Sequence, residues 1–253
     1  ENNSIAIAIS EQPFCEKIII RSNGTSVYIT QDIALSFLKK KDFNFDQSIY
    51  IVGNEQDYHF DVLFKILNKI DENFIGKLFH YSYGMVELPS GKMKSREGNV
   101  VDVDDIIDEM FLFVKDFSEK LDKKFDIEDK ISLYKDLSIG AIKYFFLKVD
   151  LKKKIVFDKE ESISLDGNSS IFLQYTKARI SSLLDKSEKK VKDFENIFFD
   201  IKLDLEESKL VRSIIKFYKC IQESYEKLSS NCLCNGLYDL SKVYNKFYSN
   251  CKI

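Results

Sequence analysis

One stretch, Gly91-Lys92-Met93-Lys94-Ser95-Arg96-Glu97-Gly98-Asn99, holds three cations within five residues between two glycines. Glycine lets the backbone bend and approach a ligand closely, and clustered Lys and Arg neutralise a polyanion such as a triphosphate. The hydrophobic run Phe79 to Val86 precedes it, so the loop is expected to leave the end of a strand. Two descriptions fit these residues: a phosphate-stabilising loop, and a solvated lysine-rich turn. What surrounds the loop decides between them.

A loop holds phosphates only if stiffer elements fix its ends, and the first half of the chain supplies them. Lys17–Arg21 and Ser26–Thr30 read as strands around a Ser22-Asn23-Gly24 turn, where Asn and Gly readily take positive φ. Thr30 is the expected N-cap of a helix to about Lys40, with Asp32 in its first turn. Ser48–Gly53 is a short β-branched run ending in glycine, as buried parallel strands do. A helix from about Asp57 to Ile70 follows, with Leu63, Ile66, Leu67 and Ile70 at helical spacing. The Phe79–Val86 strand then leads into the basic loop. This repeated β-α-β order predicts an α/β, doubly wound parallel sheet.

After Val101 the strand patterns largely stop. Asp102–Lys120, Glu128–Lys148, Ser169–Lys192, Glu206–Ser229 and Leu233–Asn250 read as amphipathic helices. Both prolines, Pro13 and Pro89, lie before residue 90, so nothing in this half breaks a long helix. The expected division is an α/β part over 1–120 and an all-helical part over 121–253.

Ligands of open parallel sheets bind at the carboxyl ends of strands. Tyr28 and Asp32 sit at one strand-to-helix passage, Gly53-Asn54-Glu55-Gln56 at the next, and the basic loop at the third. The chain has two histidines, His59 and His80, and no Ser-His-Asp or Cys-His arrangement suggests itself. Positioning with charge stabilisation then suits phosphoryl or adenylyl chemistry better than covalent catalysis does.

Composition sets the outer bounds. A chain of 253 residues with 44% hydrophobic and 31% charged side chains buries a substantial core and is no disordered segment. No apolar run is long enough to span a bilayer, and Glu1 to Ser10 lacks the basic start of a secretory signal. Cysteines 15, 220, 232, 234 and 251 show no CxxC spacing and no histidine nearby, which argues against a metal site and for reduced, cytoplasmic thiols. Residues 1–119 carry 12 basic and 20 acidic side chains, a balance of −8, whereas 120–253 carry 26 and 21, a balance of +5. A basic second half fits a polyanionic partner, and it fits solvated lysine-rich helices equally well in kind.

At this point the ordered motifs resemble a known family. Ser22–Thr25 leads to Tyr28-Ile29-Thr30-Gln31-Asp32-Ile33-Ala34, then to Val52-Gly53-Asn54-Glu55-Gln56-Asp57-Tyr58-His59-Phe60, His80-Tyr81-Ser82-Tyr83-Gly84-Met85-Val86 and the Lys92–Asn99 loop. Phe157-Asp158, Leu165-Asp166-Gly167-Asn168 and Leu173-Gln174-Tyr175-Thr176-Lys177-Ala178-Arg179-Ile180 follow in the second half. In this order, from about residue 17 to the end, they resemble the class I aminoacyl-tRNA synthetases, and among them the arginyl-tRNA synthetases. The resemblance implies the second half of a Rossmann-like parallel-sheet catalytic domain followed by an all-helical anticodon-binding domain.

It also implies roles. Residues matching Tyr28, Asp32 and Gln56 bind the substrate arginine in the family, and a carboxylate suits a guanidinium because the fork of donors is met bidentately. The plainer account of Asp32 is an acid favoured by the helix dipole in a first turn. His59 and His80 fall in nucleotide-facing motifs, where a structural histidine is the competing description, and the Gly53, Met85 and Val86 backbone lies along the adenosine. The basic loop resembles the class signature: Lys92, with Lys94 and Arg96, stabilises the ATP phosphates as the arginine carboxylate attacks the α-phosphate. The class pattern has a second lysine where this chain has Ser95, which leaves the division of labour between Lys94 and Arg96 open. Tyr175 and Arg179, one helical turn apart, either contact tRNA or brace the entrance of the helical domain.

The implied partners are ATP with Mg2+, L-arginine and tRNA(Arg), with no membrane, in a cytoplasmic monomer. No His-Ile-Gly-His-type motif occurs in the chain, and its final residues, Phe247 to Ile253, fall where the family continues. The expectation is therefore a carboxyl-side fragment that alone does not activate arginine efficiently. Two other readings stay open at this stage: a non-catalytic tRNA-binding or assembly paralogue lacking the first half of the ATP site, and a generic nucleotide-binding α/β domain with a helical tail. The last explains the loop but not Tyr28, Asp32 and Gln56.

Overall fold

The computed structural model describes residues 3–11, 14–88, 91–92, 102–120, 127–186 and 202–251. Their contacts divide the chain into two units, Glu1–Met85 and Val86–Ile253.

In the first unit, β1 (Ile5–Glu11) and β2 (Phe14–Ile20) form an antiparallel pair. The helix α1 (Tyr28–Phe43) follows, where a strand over Ser26–Thr30 and an N-cap at Thr30 were expected. Only Ser26 keeps a trace of pairing, an isolated bridge to Ile20. The helix begins after Val27, which offers no side-chain cap, and the Thr30 hydroxyl donates instead to the Ile19 carbonyl of β2. The aromatic and β-branched run Val27 to Thr30 favours a strand locally, but Ile29 is 1% exposed in the unit's core. Tertiary burial overrides local propensity here. At its far end α1 stops at Asn44, in the left-handed region at φ 42, whose N–H donates to the Lys40 carbonyl.

Next come β3 (Ser48–Gly53), a 3-10 turn over Asn54–Gln56, α2 (Asp57–Ile70) and β4 (Leu78–Tyr83). β3 and β4 pair in parallel with Ser48 opposite Leu78 and Gly53 opposite Tyr83, so α2 is the crossover of a βαβ unit. Its buried face, Phe60, Leu63, Ile66 and Leu67, packs with Ile9, Ile29 and Phe74, while Ile70 at its end is exposed. Each such side chain contributes about 1.5–3 kcal/mol relative to exposure, which holds a 14-residue helix that would be marginal alone. Beyond α2, Asp71 bonds the Lys40 ammonium at 2.5 Å and accepts from the Asn73 N–H at 2.9 Å, which hold its carboxyl at about 2.

The run Phe79–Val86 is not one strand. β4 ends at Tyr83, where its partner β3 also ends, and no ladder remains to extend it. Val86 opens β5 (Val86–Leu88) in the second unit, between antiparallel β6 (Gly91–Lys92) and parallel β7 (Ile155–Val156). The helices are α3 (Val103–Lys120), α4 (Ile127–Leu147), the short α5 (Lys159–Ser162), α6 (Ser170–Lys186), α7 (Leu205–Glu226) and α8 (Ser230–Asn250). The expected helices thus appear within a few residues of their predicted bounds, while 187–192 lie outside the described residues. Met110, Val114, Ala141, Phe145 and Phe157 anchor this unit's core. A capping box starts α7: Asp204 accepts from the Glu207 N–H and Glu207 accepts from the Asp204 N–H, both at 2.8 Å.

α7 and α8 touch closely at Gly236. A Cβ there would meet Cys220 Cβ and Sγ at 3.0 Å and Phe217 Cδ2 at 3.2 Å. Gly236→Ala needs Cys220 and Phe217 to give by a few tenths of an ångström, and the Cys220 Cβ is fixed to the α7 backbone. It is therefore expected to lower stability, by less than about 2 kcal/mol net of the roughly 1 kcal/mol gained by removing a mid-helix glycine. A denaturant titration read as a lower midpoint at unchanged slope checks this.

Candidate functional site

α1 sets Tyr28 and Asp32 four residues apart, so they share one face of its first two turns. The helical start of Tyr28 creates this pairing, because in a strand the same residues would not stack. Tyr28 is 80% exposed, and with Glu16 and Lys17 of β2 and His59 of α2 it lines a surface depression of about 420 Å³. Asp32 is half-buried beside it, and its Oδ2 lies 2.7 Å from His59 Nε2. A carboxylate oxygen only accepts, so His59 Nε2–H donates. Tyr28, Asp32 and His59 therefore come together. Gln56 occupies the exposed 3-10 turn three residues before His59, with no bond to the other three among the described residues.

The His59–Asp32 pairing is not legible in the sequence, which offers His59 a nucleotide-facing role or a structural one. Its position in the first turn of α2, a helix that packs on α1, is the signal. Sequence alone does not separate that arrangement from a structural histidine.

His80 is held differently. Its ring lies on Phe60 with centroids 4.3 Å apart, its Nε2–H donates to the Val52 carbonyl at 3.1 Å, and Nδ1 is 3.4 Å from Asp57 Oδ1. The Ser82 hydroxyl donates to the same Asp57 oxygen at 2.5 Å. Both ring nitrogens thus face protein oxygens, and the ring fixes the backbone one residue before Gly53. Gly53 ends β3, and a Cβ on it would lie 3.9 Å from Met85 Sδ and from the Tyr83 carbonyl. Gly53 and half-exposed Met85 therefore sit side by side at the carboxyl ends of β3 and β4.

Of the basic loop, Gly91 and Lys92 continue the backbone ladder, with Lys92 opposite Glu87 of β5. Lys94 and Arg96 lie outside the described residues. Val86 pairs with Ile155 across β5 and β7. Glu87 is 7% exposed, is paired with Lys154, and leaves Oε1 without a hydrogen-bond partner.

In the helical unit, Arg179 Nη2 donates to the Tyr175 hydroxyl at 2.8 Å and Nη1 donates to Asn245 Oδ1 at 2.9 Å. Its guanidinium lies 4.4 Å from the Tyr175 ring centre and 5.2 Å from that of Tyr248. Arg179 thereby ties α6 to α8, and Tyr175 stays 45% exposed. The Leu165–Asn168 motif forms a second tie: the Tyr144 hydroxyl is 2.6 Å from Asn168 Oδ1, and Asn168 Nδ2 donates to Asn235 Oδ1 at 2.9 Å. Burial pushes the Tyr144 hydroxyl up, and raises the neighbouring Cys234 thiol to about 11. Among the described residues no three His, Cys, Asp or Glu side chains group as a metal site, and no helix is long and apolar enough to cross a membrane.

The chain matches known proteins along its whole length. Residues 5–159 match the family of class I (R) tRNA synthetases, catalytic domain, and residues 173–253 match the DALR anticodon binding domain. It is 44% identical to the arginine–tRNA ligase of Flavobacterium psychrophilum and 41% identical to that of Bacteroides thetaiotaomicron, covering all of this chain but 42% and 43% of theirs. The chain thus spans less than half the length of these relatives. The fold matches Thermus thermophilus arginyl-tRNA synthetase at a TM-score of 0.83 and 22% identity, over 99% of this chain and 46% of that one. Plasmodium falciparum arginyl-tRNA synthetase matches at 0.81 and 26% identity, over 99% and 43%. The catalytic-domain family covers more than half of these 253 residues and the anticodon-binding family follows it, and on that ground the chain belongs to the arginyl-tRNA synthetase family of class I tRNA synthetases.

Proposed function

We propose that the chain serves an arginine–tRNA ligase, in which ATP activates L-arginine to arginyl-adenylate and the arginyl group passes to tRNA(Arg). The observation that supports this most is the Tyr28–Asp32 face of α1, with the carboxylate bonded by His59 and Gln56 one turn away. A guanidinium offers five N–H donors in one plane, and a carboxylate beside a phenol and an amide satisfies them where an ammonium would leave acceptors unmet.

In this reading the arginine carboxylate attacks the α-phosphorus, the bond to the bridging oxygen breaks, and pyrophosphate leaves with that electron pair. Lys92 neutralises the charge growing on the phosphate oxygens, with Lys94 and Arg96 of the same loop. The Gly53, Met85 and Val86 backbone lies along the adenosine, and His80 acts on it through the Val52 carbonyl. Mg2+ accompanies ATP as part of the substrate, held by phosphates and water as is usual for this ion. The adenylate is then attacked by a ribose hydroxyl of the terminal tRNA adenosine, releasing AMP. In this reading residues 1–120 carry the catalytic machinery, and 121–253, which include the end of the catalytic-family match and all of the anticodon-binding match, contact the tRNA stem and anticodon, where Tyr175 touches tRNA and Arg179 orients it. The enzyme is cytoplasmic and works as a monomer.

The test is charging by the full-length protein that carries this chain, with ATP, labelled arginine and total tRNA. Acid-precipitable arginine that depends on ATP and tRNA is expected. Retained tRNA binding without any charging would instead identify a non-catalytic paralogue.

A further inference from the structure

We propose that His59 is a positioning residue of the arginine pocket, and not a nucleotide ligand. The inference rests on the arginine–tRNA ligase reading of the same site. Its physical basis is the bond from His59 Nε2–H to Asp32 Oδ2 at 2.7 Å, which joins the first turn of α2 to the second turn of α1. Among the described residues no other side chain bonds that carboxylate. Oδ1 and the second lone pair of Oδ2 are therefore left for a ligand's donors.

An aspartate side chain on a helix surface samples several rotamers, and a guanidinium is met bidentately only in the one that presents both oxygens. His59 removes that freedom before the ligand arrives. The imidazole is itself fixed: it packs edge-on against Phe60, with centroids 5.4 Å apart and planes at 88°, and Phe60 is in the core. The ring thus transmits the rigidity of the α2 core to a half-buried carboxylate. It also lines the same depression as Tyr28.

The experiment compares wild type, His59→Ala and His59→Gln in the full-length protein, by pyrophosphate exchange with tRNA present. Gln is the informative variant, because its amide N–H reaches about where His Nε2–H does while losing the ring. His59→Ala is expected to raise KM for arginine about tenfold, the scale of one charge-assisted hydrogen bond, with KM for ATP unchanged within about twofold. Agmatine, which keeps the guanidinium and lacks the carboxylate, should lose inhibitory potency by the same factor. His59→Gln should recover most of both effects.

An increase in KM for ATP with arginine and agmatine unaffected would overturn the proposal in favour of a nucleotide role. Unchanged parameters in His59→Ala would overturn it too. So would a His59→Gln variant that restores the melting temperature but not arginine KM. A wild-type protein that exchanges no pyrophosphate with arginine refutes the underlying reading instead, a result distinguishable from all of these.

Discussion

Asp32→Asn in the full-length enzyme is expected to lower kcat/KM for arginine by about 2–5 kcal/mol, roughly 30- to 5000-fold. The substitution keeps the side chain's size and one carbonyl acceptor, so the fold of α1 is preserved. It removes the negative charge and replaces an acceptor by an NH2 group that faces either the guanidinium or His59 Nε2–H. With the NH2 toward the guanidinium two donors meet, and with it toward His59 the imidazole accepts it only by moving its proton to Nδ1, so either orientation loses the charged contact. KM for ATP should move little if, as proposed, the charge lost is the guanidinium's partner. Steady-state exchange with varied arginine, then varied ATP, measures the split. α1 begins at Tyr28 and puts Asp32 in its second turn, not the first turn expected from the sequence, so an unchanged kcat/KM would leave it a helix-surface acid with no part in arginine binding.

Lys92→Ala is expected to slow arginine activation by about 10²- to 10³-fold and to leave arginine affinity within about twofold. The charge a lysine neutralises grows as pyrophosphate departs, so the interaction is stronger in the transition state than in the ground state. The backbone around Lys92 is held from one side by its pairing with Glu87 and Leu88 in β5, which also pairs with β7. Single-turnover formation of arginyl-adenylate is the measurement, and an unchanged rate would show that Lys92 plays no part in stabilising the transition state.

Much of this was legible in the residues. The 3.6-residue period of Leu63, Ile66 and Leu67 gave α2, and the uninterrupted amphipathic stretches after residue 101 gave α3, α4, α6, α7 and α8. Three features were not. In β1, Ile5, Ile7 and Ile9 alternate with alanine, a period-2 pattern over a short run that becomes meaningful only through its pairing with β2. Val27 to Thr30 look strand-like by residue type, yet burial of Ile29 decides for the helix that begins at Tyr28. The single strand over Phe79–Val86 divides at Gly84 because pairing partners, which sequence does not display, run out on one side and begin on the other. Around the proposed site, family resemblance picks out Tyr28, Asp32 and Gln56, whereas the hydrogen bond between His59 and Asp32 joins residues 27 apart and is visible only in the fold.

The central claim is recognition of a guanidinium, and amino-acid specificity tests it most directly. Pyrophosphate exchange by the full-length protein, with tRNA present, should proceed with L-arginine and fall by at least about a thousandfold with L-citrulline, whose ureido group has the same shape but no charge and one fewer donor group. Comparable exchange with citrulline, or exchange supported by another amino acid in place of arginine, would contradict the account.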